Sequence, residues 1–300
     1  MEGLVQLALL AVAGFAAQLV DGALGMGYGI TSSTILLLIG LSPAAASASV
    51  HIAKIGTGAS SGLAHHRFGN VDWKVVRRIA LPGAAGAFIG ATLLSALSTE
   101  SSRPLSSLFL FALGVYVVVR YLRGGLRALR KGTPRLRFLI PLGLIGGFVD
   151  ATGGGGWGPV ATPALLADGR LAPNRVIGTV SASEFAVAVA ASVGFIFGIG
   201  VAGVRLDYVA ALLIGGLVAA PISAYIVRYL NPRILGVTVG GFICFTNARI
   251  LLSAVGISGD TFFLVYAVVV AVWVAAVVSV VRAVRRERSA ESSGSTGRSA

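Results

Sequence analysis

Long apolar runs separated by short polar loops organise the chain. Residues 75–97, 105–122, 206–227, 233–255 and 262–281 are each close to the 20 or so apolar residues that a helix needs to cross a bilayer, and residues 4–20 form a slightly shorter run. Two apolar arms, residues 30–41 and 160–167, are too short to cross as helices. Each comes directly after a glycine-rich stretch: Asp21-Gly22-Ala23-Leu24-Gly25-Met26-Gly27-Tyr28-Gly29-Ile30, and Asp150-Ala151-Thr152-Gly153-Gly154-Gly155-Gly156-Trp157-Gly158-Pro159. A short arm on either side of a glycine break predicts a discontinuous or re-entrant helix pair. Helices over residues 44–64 and 173–197 come next, each opened by a proline, Pro43 and Pro173.

The two glycine stretches share a leading aspartate and an aromatic, Tyr28 against Trp157, and the segments downstream of them match as well. Superposing Pro43 on Pro173 sets Lys54 against Glu184, His51 against Ser181, Ser49 against Thr179 and Asp72-Trp73 against Asp207-Tyr208. The chain therefore reads as an all-α polytopic membrane protein made of two duplicated halves. Residues 1–122 form the first membrane repeat, 123–137 a basic linker, 138–255 the second repeat, 256–281 an added transmembrane helix and 282–300 a disordered tail.

Composition agrees. Of 300 residues, 56% are hydrophobic and 12% charged, and mean hydropathy is +0.88. The net charge of +13 does not mark a nucleic-acid binder, because the cations lie in short segments between apolar runs, where arginine marks the cytoplasmic face. With the linker, the 65–78 loop, the Arg228/Arg233 loop and the tail all inside, each half holds an odd number of crossings. The repeats are then inverted and the C-terminus is cytoplasmic. Counting each broken pair as one crossing gives parallel halves instead; the cation-free segment 256–260, opposite the basic linker, favours the inverted arrangement. No signal peptide is expected, and the lone Cys244 permits no internal disulfide.

The chemistry gathers at the breaks. Glycine bends at membrane depth leave amides without helical partners, and amides at the starts of half-helices favour an anion. Gly25, Gly27, Gly153, Gly154, Gly155 and Gly156 are the candidate backbone contacts, with Thr152, Thr179 and Ser181 as hydroxyl donors. Asp21 and Asp150 either cap the half-helices that come after them or carry a proton. Lys54 and Glu184, on matched helices, are expected to pair across the pseudo-twofold axis; in the sharper version Lys54 faces an anion while Glu184 takes up a proton. His51 lies about one turn before Lys54 and assists it. Arg249, flanked by apolar sequence on both sides, is expected to be buried and to meet carboxylate, carbonyl or substrate. His65-His66 reads as an exposed loop, and no metal or cofactor is expected.

The segments Gly14-Phe15 through Gly29 and Gly147-Phe148-Val149-Asp150 through Trp157-Gly158-Pro159, with Pro173 to Glu184, resemble the TauE/SafE family of membrane permeases over nearly the whole chain. The resemblance implies a secondary transporter in the cytoplasmic membrane that exports a small sulfur oxyanion, sulfite or an organosulfonate, coupled to protons. Leu24 and Met26 replace expected glycines in the first copy, so an asymmetric site with the second turn more open is expected. Rival classes are a passive anion channel and an intramembrane enzyme, for which Ser47 with His51 is the one tempting pair. Lipid, protons and the anion are the expected partners, and small-residue helix faces permit a homodimer.

Overall fold

The computed structural model describes residues 2–24, 26–123, 132–226 and 231–296. It is all helical: α1 (Glu2–Leu24), α2 (Tyr28–Leu38), α3 (Pro43–Arg67), α4 (Trp73–Ala96), α5 (Thr99–Arg123), α6 (Leu136–Gly153), α7 (Trp157–Asp168), α8 (Pro173–Ile199), α9 (Leu206–Ile226), α10 (Pro232–Ala254) and α11 (Gly259–Thr296). Seven helices among the described residues are long and apolar enough to cross a membrane, and the outward surface suits lipid: Leu4, Leu81, Phe197 and Phe263 are all at least 70% exposed. The chain is a polytopic membrane protein.

Local chemistry sets the helix ends. Ser42 accepts the Ala45 amide ahead of Pro43 at the start of α3, Asp72 accepts from Lys74 and Val75 at the start of α4, and Asn231 accepts from Arg233 and Ile234 at the start of α10. The break after α6 is made by Gly154, which adopts a left-handed backbone with φ 76°; the break before α2 is made by Gly27, with φ 137°.

Helix order is the same on either side of the basic linker: long, short, long, long, long. The main packing partners also exchange between the sides, for α4 lies along α6 while α9 lies along α1, and α3 meets α8 as α5 meets α10. These seams are lined with glycine, so backbones approach closely. A Cβ on Gly86 or Gly147 of the α4–α6 seam would run into the backbone carbonyl of Leu144 or Gly83, and one on Gly14 would sit 2.5 Å from the Leu212 carbonyl of α9.

One expectation fails at the C-terminus. The tail that composition marks as disordered continues α11 as helix to Thr296. No proline interrupts the stretch, its arginine, glutamate and alanine residues favour helix, and Arg233 forms an ion pair with Glu287 at 2.7 Å. Residues 124–131 of the linker lie outside the described residues.

Candidate functional site

The two helix breaks, far apart in sequence, touch. A Cβ on Gly29 would lie 2.6 Å from Gly155 Cα and 3.0 Å from the Gly154 carbonyl, and one on Gly155 would overlap the Gly29–Ile30 backbone. Only glycine permits this contact. Ser33 of α2 locks it by donating to the Gly154 carbonyl at 2.6 Å.

Beside the crossing sits a buried charge network. Lys54 Nζ lies 3.0 and 3.1 Å from the two carboxylate oxygens of Asp150 and 2.8 Å from Glu184 Oε1. Asp150 also meets His51 Nε2 at 3.0 Å and accepts the Trp157 amide at 3.0 Å. His51 Nδ1 faces the Ser47 carbonyl at 2.8 Å, so both ring nitrogens point at oxygen acceptors. Asp150 therefore caps α7 from across the break and compensates Lys54 at once, where sequence posed these as alternatives. Asp21 repeats the first role, accepting the Tyr28 amide at 3.3 Å seven residues on, as Asp150 does with Trp157. The expected Lys54–Glu184 contact is present; the contacts of Lys54 and His51 with Asp150 are not legible in the sequence, because nothing in it fixes the register of α3 on α6.

Two small cavities flank the crossing. The first, too narrow for a water-sized sphere, is lined by Asp21, Gly27, Gly29, Lys54, Asp150, Gly155, Gly158, Pro159 and Glu184. It lies at the amino ends of α2 and α7, the positive poles of those helices. The second, equally narrow, holds no charged side chain; Ser33, Ser47, Ser106, Thr152, Gly153 and Gly154 line it with Leu37, Pro43 and Ala46. The expected glycines are thus divided, with Gly27 and Gly155 on the charged side and Gly153 and Gly154 on the hydroxyl side. Gly156 precedes the first turn of α7, and Gly25 lies outside the described residues.

Three expected ligands lie elsewhere. Thr179 Oγ1 accepts the Asp72 amide at 3.0 Å, tying the α3–α4 loop to α8. Ser181 is buried one turn before Glu184 and lines neither cavity. Arg249 is exposed rather than buried. It opens into a separate, wide cavity with Leu38, Thr99, Pro104, Ile250, Ser253 and Ala254. His66 Nδ1 lies 3.2 Å from Trp73 Nε1, and no cluster of three or more metal-ligating side chains occurs among the described residues.

Seven apolar spans around a polar, helix-broken centre define a polytopic membrane protein with a built site at its core. The sequence profile of the Sulfite exporter TauE/SafE family matches residues 10–250, and the chain belongs to that family. It is 47% identical over 274 residues to the "Probable membrane transporter protein YtnM" of Bacillus subtilis (strain 168), covering 91% of each chain. No solved structure matches.

Proposed function

We propose that the protein is a secondary transporter that exports a small sulfur oxyanion, sulfite foremost or an organosulfonate, across the cytoplasmic membrane in exchange for or together with protons. Its two halves form an inverted repeat, and its C-terminus is cytoplasmic. The observation that carries this reading is the charged cavity at the crossing of the breaks. A buried ammonium and the amide-rich starts of α2 and α7 converge there, the surroundings a small anion needs; the space is closed to a water-sized sphere in this conformation, so an ion enters only as the two breaks move apart.

The charge count supplies the coupling. Lys54 is held between Asp150 and Glu184, so while both carboxylates are ionised its charge is compensated and is not free to meet an anion. Glu184 holds Lys54 through a single contact and is 16% exposed, whereas Asp150 is fully buried and its oxygens are engaged by three residues. Protonation of Glu184 frees one face of Lys54 and removes a competing charge. Anion and proton binding thereby favour each other.

Radiolabelled sulfite flux in proteoliposomes, with and without an imposed pH gradient, tests the proposal. Gradient-driven accumulation is expected for the native chain, loss of flux in Lys54→Ala, and in Glu184→Gln a flux that no longer responds to the gradient. Native flux that ignores the gradient makes the protein a channel. Absence of flux for sulfite and for sulfonates sinks the anion reading.

A further inference from the structure

The second cavity has the opposite chemical character from the first. Its hydroxyl hydrogens are committed elsewhere: Ser33 donates to the Gly154 carbonyl at 2.6 Å, Ser47 to Ala151 at 2.7 Å, Ser106 to Thr152 at 3.0 Å, and Thr152 to Phe148 at 2.8 Å. What these oxygens have left is lone pairs. On the α3 side Pro43 has no amide hydrogen, and the amides of Ala45 and Ala46 bond Ser42. The cavity lies at the carboxyl end of the 18-residue α6, the negative pole of that helix, beside carbonyls that each keep a second lone pair. The four hydroxyl residues, on α2, α3, α5 and α6, are at most 4% exposed. Asn247 reaches Thr34, the residue after Ser33, through its amide at 3.1 Å, and its buried side-chain carbonyl has no hydrogen-bond partner among the described residues.

We propose that this cavity binds Na⁺, held by the Ser33, Ser47, Ser106 and Thr152 hydroxyl oxygens and by carbonyls at the end of α6. Neutral oxygens around a half-helix carboxyl end suit a monovalent cation, whereas Ca²⁺ or Mg²⁺ draws on carboxylates, and none lines this space. The four hydroxyls have no free hydrogen to offer an anion. The nearest titratable group is His51, whose Nδ1 lies 3.2 Å from Ser47 Oγ. One chain break thus makes two poles, with the α7 amino end facing the charged cavity and the α6 carboxyl end facing the ion. The site stands without the transport reading.

Thermal unfolding of the purified full-length protein in NaCl, KCl and choline chloride at matched ionic strength tests the site with no anion substrate present. The midpoint is expected to rise by a few degrees as NaCl goes from about 1 to about 100 mM, since a ligand bound only to the folded state stabilises with its logarithm. Choline is expected to do nothing, and the Na⁺ shift to vanish in Ser106→Ala and Thr152→Val but persist in Glu184→Gln. Equilibrium binding of ²²Na⁺ to the native protein, displaced by unlabelled Na⁺ and not by K⁺, provides a reading that survives a poorly folding variant. Equal midpoints in all three salts with no saturable ²²Na⁺ binding would mean a packing gap that takes no ion and would overturn the site; equal stabilisation by K⁺ would overturn the choice of ion. Sodium binding without sulfite flux would leave this site standing and remove the proposed substrate, and sulfite flux without sodium binding would do the reverse.

Discussion

Asp150 carries more of the site than any other side chain. It accepts from Lys54, His51 and the Trp157 amide while fully buried, so removing its charge strands a buried ammonium on Glu184 alone. Breaking such a buried pair by changing one member costs about 3–5 kcal/mol. Asp150→Leu is expected to lower stability by that order in unfolding monitored in detergent, and adding Lys54→Met to restore much of the loss. Strictly additive effects in this double-mutant cycle would show the two groups to be uncoupled. How legible these residues are depends on the kind of contact. Lys54 and Glu184 can be paired from sequence because they hold equivalent positions on matched helices. Asp150 with Lys54 cannot, since that contact depends on how α3 rotates against α6. Arg249 misleads for a related reason: apolar neighbours along the chain show that it sits in a membrane helix, not whether its face opens on a cavity.

Glycine positions make the element boundaries readable, because a residue that must adopt positive φ or touch another backbone leaves few alternatives. Gly154 and Gly27 mark both breaks to within a residue or two, and the short arms after them appear as α2 and α7. The glycines of the α4–α6 seam are of a different sort, since they sit in regular helix and their role appears only once the partner helix is in place. Gly86 packs directly on the Leu144 carbonyl, and backbone cannot retreat as a flexible side chain can. Gly86→Leu is accordingly expected to destabilise by at least the roughly 1–3 kcal/mol typical of overpacking. Gly3→Ala, with nothing within 4 Å, is expected to be silent. Comparing the two as monodisperse protein recovered after mild heating checks this, and equal recovery would mean that α4 and α6 do not lie this close. The C-terminal end of α11 escapes a compositional reading because its Ser/Gly-rich close masks an uninterrupted run of helix-favouring residues before it.

The two halves together pose the question of direction. Helix order repeats, the seams α4–α6 and α1–α9 exchange, and the breaks meet at one crossing, which is the packing two copies related by a twofold axis would give. If that axis lies in the membrane plane, the segment after α5 and its counterpart after α10 open on opposite faces. If it runs along the membrane normal, they open on the same face. Charge already leans one way, with Arg135 and Arg137 at the first position and no cation between residues 256 and 260 at the second. Single cysteines at Arg135 and Ser258, both exposed, in a Cys244→Ala background decide between the two. A membrane-impermeant thiol reagent applied to intact cells is expected to label Ser258→Cys and to reach Arg135→Cys only after lysis. Labelling of both from one side would make the halves parallel. It would also remove the simplest route to alternating access, in which inward-open and outward-open forms arise when the halves exchange conformations about a crossing that stays in place.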